Sequence, residues 1–386
     1  MDSDFLVIIP AIIAASVTTI LFLYGIWQFL WIERVEKGFR VALEVLRLNR
    51  AKGNPILSPT SHEWEAAGVM NPGAVIVNGL THLFYRAIGK DGVSRIGHAT
   101  SKDGVVVDDR LPYPVFSLDG QDALRPTDRA YIEKTYPNLV ASGGSWGGCE
   151  DPRAVQIEDR VYLTFSAFHN WQSLRMAVTS ILADELAKKK WNWTKPVFLS
   201  APNQVHKNWM LFPEKIHGKF AILHSIFPKV EIEYVDELDN VGKTKPFISS
   251  YEGARSDTAD ESSGVWHDRV RGAGPPPMRT DRGWLLLYHA MEKGQPHKYK
   301  MGAMLLDLDD PTKVLARSPR PILEPVEDYE NEGKPGVVYA CGATIQNDTL
   351  QVYYGGGDSV VCTAGAKLSS FIDSILHNQA PLLTTV

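Results

Sequence analysis

Two adjacent carboxylates, Glu150 and Asp151, stand before Pro152 and Arg153, behind a stretch that carries Gly143, Gly144, Gly147 and Gly148. Neighbouring acids beside an arginine can split their pKa values, which leaves one of them as a proton donor. The ordinary reading of the same tetrapeptide is a turn closed by an Arg–carboxylate pair. Further along, Lys207 and Asn208 offer donors suited to a phosphate or to sugar hydroxyls. Arg269 and Arg271, followed by Gly272 and Gly274, form a basic, glycine-flanked stretch that could cradle an anion, without the Lys-Ser/Thr of a P-loop. No HExxH pair and no clustered Cys/His set occurs, so no metal and no organic cofactor is expected.

Strands must position these groups. Beyond Asn54 the hydrophobic alternation has period two. One unit recurs five times: an apolar strand, a polar turn with Gly or Asp, then a second apolar strand that ends in an aromatic residue or His. The paired segments are 73–79 with 80–85, 154–159 with 161–165, 214–218 with 220–224, 277–281 with 284–288, and 343–348 with 350–354. The closing positions 85, 165, 224, 288 and 354 are spaced by 80, 59, 64 and 66 residues. Five hairpin units in order predict an all-β chain folded as a five-bladed β-propeller, with a pair of β-sandwiches as the competing fold. A propeller gathers equivalent positions around its axis. The residues just after the closing positions are Arg86, Ser166, Ser225, His289 and Gly355, a set suited to an anion or a sugar.

The first 32 residues differ from the rest. From Phe5 to Ile32 there is no charge, a run of 28 residues that ends with Trp27 and Trp31 near its boundary. That length spans a bilayer with some tilt, and the acidic start Met1–Asp4 is unlike a signal peptide. Arg34, Lys37, Arg40, Arg47, Arg50 and Lys52 follow the run, which places the main body on the cytoplasmic side by the positive-inside rule. The expected organisation is one transmembrane helix (5–32), a juxtamembrane helix or linker (33–52), the catalytic propeller (53–375) and a tail (376–386). The net charge of −5 argues against nucleic acid as a partner. Cys149, Cys341 and Cys362 form no disulfide framework.

In order along most of 53–370, the chain resembles glycoside hydrolase family 130, the β-mannoside phosphorylases and related mannosidases. The likeness is carried by Trp64-Glu65, Gly68-Val69, Asn71-Pro72, Tyr85-Arg86-Ala87 and Glu150-Asp151-Pro152-Arg153. It continues through Leu211-Phe212-Pro213-Glu214-Lys215, Gly283-Trp284, Tyr288-His289, Cys341-Gly342 and Tyr353-Tyr354-Gly355. The resemblance implies a five-bladed propeller and an inverting reaction. Asp151 would be the general acid, acting through a sugar hydroxyl while phosphate attacks the anomeric carbon. It implies substrate contacts from Arg86, Glu150, Arg153, Tyr288 and Asp358. Phosphate contacts would come from Lys207, Asn208 and His289. The chain departs from the family where His-Arg is His224-Ser225, and where a basic residue falls at Val270 between Arg269 and Arg271. Either arginine could replace the lost phosphate ligand after a one-residue shift.

Four functions are therefore open. A membrane-anchored inverting β-mannoside phosphorylase, with inorganic phosphate as co-substrate and a β-mannoside oligosaccharide or glycoconjugate as partner, ranks first. An inverting β-mannosidase would use water, with Glu214 or Asp358 as base. A membrane-bound mannosyltransferase would build glycans from an activated donor. A non-catalytic glycan-binding propeller would dispense with Asp151.

Overall fold

The computed structural model describes residues 23–34, 46–118, 145, 147–170, 173–201, 206–241, 266–292 and 294–377. The chain divides into two compact units, Met1–Leu46 and Arg47–Val386. In the first, residues 23–34 form a helix, α1, whose Leu23, Tyr24, Ile26, Trp27, Phe29, Leu30, Trp31 and Ile32 are all exposed. Residues 5–22 of the expected span lie outside the described residues. Among those described, no helix is long and apolar enough to cross a membrane.

Among the described residues of the second unit, nearly all strand pairings are antiparallel. It starts with β1 (Asn49–Arg50) and then runs through five strand groups. The first is β2 (Gly68–Val77), β3 (Leu80–Ile88), β4 (Val93–Ser101) and β5 (Asp109–Arg110). The second is β6 (Gly147–Ile157), β7 (Arg160–Asn170), β8 (Ser173–Leu182) and β9 (Val197–Phe198), with the short helix α2 (Ala183–Ala187) after β8. The third is β10 (Met210–Leu211), β11 (Phe220–Ser225) and β12 (Glu231–Val235). The fourth comprises β13 (His267–Ala273), β14 (Met278–Thr280), β15 (Gly283–Glu292), β16 (Lys300–Leu306) and β17 (Val314–Arg317). The fifth is β18 (Val338–Gln346), β19 (Thr349–Gly356) and β20 (Val360–Lys367), and the helix α3 (Leu368–His377) follows. Within each group consecutive strands pair, except in the fourth, where β13 and β14 both pair with β15. A short parallel contact, Val93↔Gly147 and Ser94↔Gly148, joins the first two groups.

Four of the five expected strand pairs are observed as drawn. The third is displaced. Ile216 and Lys219 form only an isolated bridge, and the strand that pairs with β11 is β10, through Met210↔Leu223 and Leu211↔Ile222. Met210 and Leu211 are both buried, so tertiary burial outweighs local pattern there.

The expected juxtamembrane helix is corrected at its end. Asn49 and Arg50 are strand, paired with Gly365 and Ala364 of β20. Arg50 explains why: its Nε and Nη2 donate to Glu330 at 2.7 and 2.9 Å, and Glu330 is fully buried. The β body thus begins before residue 53, and its first strand completes the last sheet. At the other end α3 runs across the expected boundary at 375, with Phe371, Ile372 and Ile375 buried.

A second repeated device builds the core. Tyr85 lies opposite Gly97, and Tyr288 lies opposite Gly302. A Cβ on Gly97 would meet the Tyr85 ring at 2.2 Å, and one on Gly302 would meet the Tyr288 ring at 2.4 Å. Each aromatic ring covers a glycine on the next strand, as sheets use large side chains to shield glycine.

Candidate active site

The site is built on bulges. The β2–β3 register shifts between Met70 and Gly73, and the β6–β7 register between Glu150 and Arg153. Each bulge holds an acid or amide followed by proline, Asn71-Pro72 and Asp151-Pro152. Both residues take left-handed backbone, with φ of 49° and 50°. Asn and Asp tolerate that region best among residues with a Cβ. A bulge re-aims a side chain out of the pleat, and these two side chains meet: Asn71 Nδ2 donates to Asp151 Oδ1 at 2.9 Å. Gly355 makes room, since a Cβ there would lie 2.2 Å from Asn71 Oδ1.

Charge is concentrated around this pair. Arg86, on β3, donates from Nη2 to Glu150 at 3.2 Å and from Nη1 to Asp151 Oδ1 at 3.3 Å. Glu150 also receives Lys207 Nζ at 3.3 Å and the Ser145 backbone N–H at 2.9 Å. Arg86, Glu150 and Asp151 are buried, whereas the Lys207 side chain keeps 27% of its surface exposed. Burial pushes both carboxyls up, but Arg86 and then Lys207 outweigh it, and both groups are held below the ordinary range. Asp151 and Glu150 are therefore carboxylates in the free protein.

Arg153 and Asn208 are brought to the same place but spend their donors on the protein. Arg153 donates to Gly274 O at 2.8 Å, Asp151 O at 2.9 Å and Asn208 Oδ1 at 2.9 Å. Asn208 Oδ1 also accepts from Tyr339 Oη at 2.7 Å, and its Nδ2 donates to Arg271 O at 3.0 Å. These contacts make Arg153 and the Asn208 amide positioning groups that tie three strand groups together. His289 stacks on Tyr339, with ring centroids 4.0 Å apart. Its Nε2 accepts the Ala340 N–H at 2.9 Å, so the proton of the neutral ring sits on Nδ1, which has no hydrogen-bond partner among the described residues. Burial, with Arg153 nearby, lowers the His289 pKa to about 3.

Asp358 joins the cluster from the β19–β20 turn. It pairs with Lys334 at 3.3 Å, and burial raises its pKa although Lys334 and Arg86 oppose this. Other expectations are corrected. Tyr288 is a core residue: it packs with Trp284 and Leu286, and its hydroxyl meets His267 Nε2 at 3.0 Å. Glu214 pairs with Arg279 at 2.6 Å, with both side chains exposed. The Arg271 guanidinium lies over the Tyr299 ring at 5.3 Å, and Arg269 is half-buried opposite Met291. Of the expected axial set, Arg86, His289 and Gly355 reach the cluster. The Ser166 hydroxyl contacts Met176, and that of Ser225 donates to Phe227 O. A narrow cleft beside Lys207 is lined by Asn208, His224, Ser225, Val270 and Gly272.

Sequence reasoning missed Asn71, Ser145, Lys334 and Tyr339. Asn71 had a signal. It lies fourteen residues before Tyr85, as Asp151 lies fourteen before Phe165, each followed by proline. Ser145 stands in a Gly-Gly-Ser-Trp-Gly run with the spelling of a nucleophile elbow. Its hydroxyl instead contacts Gly147 O and Glu150.

The chain is similar to known mannoside phosphorylases. A family model described as beta-1,4-mannooligosaccharide phosphorylase, glycoside hydrolase family 130, matches residues 47–376. A 1,2-beta-oligomannan phosphorylase of Thermoanaerobacter sp. is 36% identical over 330 residues, covering 83% of this chain and 97% of the relative. A beta-1,2-mannobiose phosphorylase of the same organism is 33% identical over 335 residues, covering 83% and 97%. The solved beta-1,2-mannobiose phosphorylase of Listeria innocua, in complex with beta-1,2-mannobiose, superposes with a TM-score of 0.60 at 25% identity, covering 85% of this chain and 99% of that one.

Proposed function

The chain belongs to glycoside hydrolase family 130 and is an enzyme of glycosyl transfer, and from that premise we propose that it is an inverting β-mannoside phosphorylase acting on β-1,2-linked oligomannosides. The β-1,2 linkage is drawn from the relatives at 36% and 33% identity, both named for it. The observation that carries the reading is the buried constellation of Asp151 and Glu150 under Arg86 and Lys207. Asp151 delivers the proton to the leaving oxygen. A phosphate oxygen, held near Lys207, attacks the anomeric carbon from the opposite face. The C–O glycosidic bond breaks, a C–O–P bond forms, and the sugar 1-phosphate gives up the proton that the phosphate brought. Cations next to two carboxylates hold an anionic co-substrate where charge repulsion would otherwise expel it.

We also read the five strand groups as blades of a propeller. Inward contacts support this: Arg153 of the second group bonds to Asn208 and Gly274, and His289 of the fourth bonds to Ala340 of the fifth. A single-pass anchor at 5–32, with the catalytic body cytoplasmic, remains part of the proposal. It rests on the uncharged run, the two tryptophans and the basic residues behind them.

The test incubates the full chain with β-1,2-mannobiose, with and without phosphate. Mannose 1-phosphate formed only with phosphate, and lost in Asp151→Asn, is the expected result. Free mannose at the same rate without phosphate would establish hydrolysis instead, which the Ser225 and Val270 lining of the cleft would then explain.

A further inference from the structure

The free protein holds its general acid in the wrong protonation state. Among the described residues, both hydrogen bonds of the Asp151 carboxylate fall on Oδ1, from Asn71 and from Arg86, and both stabilise the ionised form. Oδ2 carries no hydrogen bond among the described residues, so it is the oxygen open to a proton. The charges acting on Asp151 come from several elements. Arg86 on β3, Lys207 before β10 and Arg153 on β6 are positive. Glu150 beside it and Asp358 after β19 are negative. His289, Tyr339 and Cys341 are neutral, their charged forms disfavoured by burial.

The cations differ in their freedom. Arg86 is buried and bridges both carboxylates, and Arg153 is tied to backbone carbonyls. Lys207 alone of the three keeps a substantial exposed surface, and one contact at 3.3 Å to Glu150 ties it to the acids. An entering oxyanion meets Lys207 first and competes with Glu150 for its ammonium.

We propose that occupation of the anion site arms Asp151: an oxyanion that draws Lys207 away from Glu150 leaves the carboxylate pair short of a counter-charge, and Asp151 takes up a proton from solvent at Oδ2. The inference rests on the phosphate reading above. It makes the anion a partner in proton transfer as well as the nucleophile, since the enzyme becomes a competent acid only when the nucleophile is present. Futile protonation of bound glycoside without phosphate is thereby suppressed.

The test measures the affinity of the full chain for sulfate and for inorganic phosphate between about pH 5 and 8, for the wild type and for Asp151→Asn. Linkage requires that affinity coupled to uptake of one proton rise by up to ~10-fold per unit of acidification. The amide of the Asp151→Asn variant cannot take up that proton, and each anion's own ionisation is common to both proteins. The variant is therefore expected to bind more tightly than the wild type at the alkaline end, and the gap should close as the pH falls. Affinity curves that run parallel across the range would overturn the inference while leaving the phosphate reading intact. Failure of phosphate to bind either protein would overturn the phosphate reading and this inference together. If the variant does not fold, calorimetry of the wild type in buffers of different ionisation enthalpy decides. Net proton uptake on sulfate binding is expected, and its absence refutes the proposal.

Discussion

Arg86 is the residue whose removal tests the electrostatic reasoning most directly. Its guanidinium lies 3.2 Å from Glu150 and 3.3 Å from Asp151, and all three side chains are at most 7% exposed. At an effective dielectric constant near 20, a pair at that separation attracts by about 5 kcal/mol. Removing one partner of a buried pair typically costs ~3–5 kcal/mol, because a charge is left uncompensated. Lys207 still reaches Glu150, so Arg86→Met should sit near the lower end, about 3 kcal/mol at neutral pH. The pH dependence sharpens the test. Both carboxyls are held below their ordinary values of 4.5 and 3.8 in the folded protein. A depressed acid contributes stability above its unfolded pKa and loses that contribution as the pH falls through the folded value. Without Arg86 the burial cost is no longer outweighed, and the variant recovers by binding protons. The difference from wild type should therefore be full at pH 7 and shrink below about pH 5. Urea denaturation at both pH values measures it. A loss under ~1 kcal/mol, or one equal at the two pH values, would refute the view that Arg86 compensates a buried double charge.

Deleting residues 1–45, which keeps the buried Leu46, should leave the melting temperature of the β body unchanged. Deleting 1–52 should lower it sharply, because β1 and the Arg50–Glu330 pair go with it. Arg50→Ala alone should cost about 3 kcal/mol by chemical denaturation, since Glu330 stays buried. The buried histidines predict steep acid sensitivity. Burial lowers His82 and His224 to about 4 and His289 to about 3. Each stays neutral in the fold where the unfolded chain protonates. Stability should then fall as the pH drops from about 6.5 towards 4, by up to ~1.4 kcal/mol per unit for each group. Urea midpoints across that range would show it, and a flat profile would contradict it.

Much of the fold was legible because a period of two is a local signal. Four of five strand pairs follow from it. The third failed because β10 is only two residues long and is held by burial rather than by pattern. The charged motif was legible in the sequence, and its contacts were not. Glu150-Asp151 announced an acid, yet Arg86 and Asn71, which set its charge and orientation, lie 65 and 80 residues away. Adjacency did not place the contacts: Arg153 shares a motif with Asp151 but donates to Gly274 O, Asp151 O and the Asn208 side chain, and Tyr288 neighbours His289 but fills the space left by Gly302.

What links the two scales is repetition. β2 and β6 open with the same bulge at the same offset, one presenting Asn71 and the other Asp151, at nearly equal φ. A residue before proline is pushed away from α-type backbone, so this conformation persists at both positions only because the surrounding sheet imposes it. The repeat therefore supplies more than a scaffold. One copy of the unit carries a carboxylate at the bulge, and its neighbour carries the amide that donates to it. Among these units the copies to search for function are those in which the bulge residue has become charged.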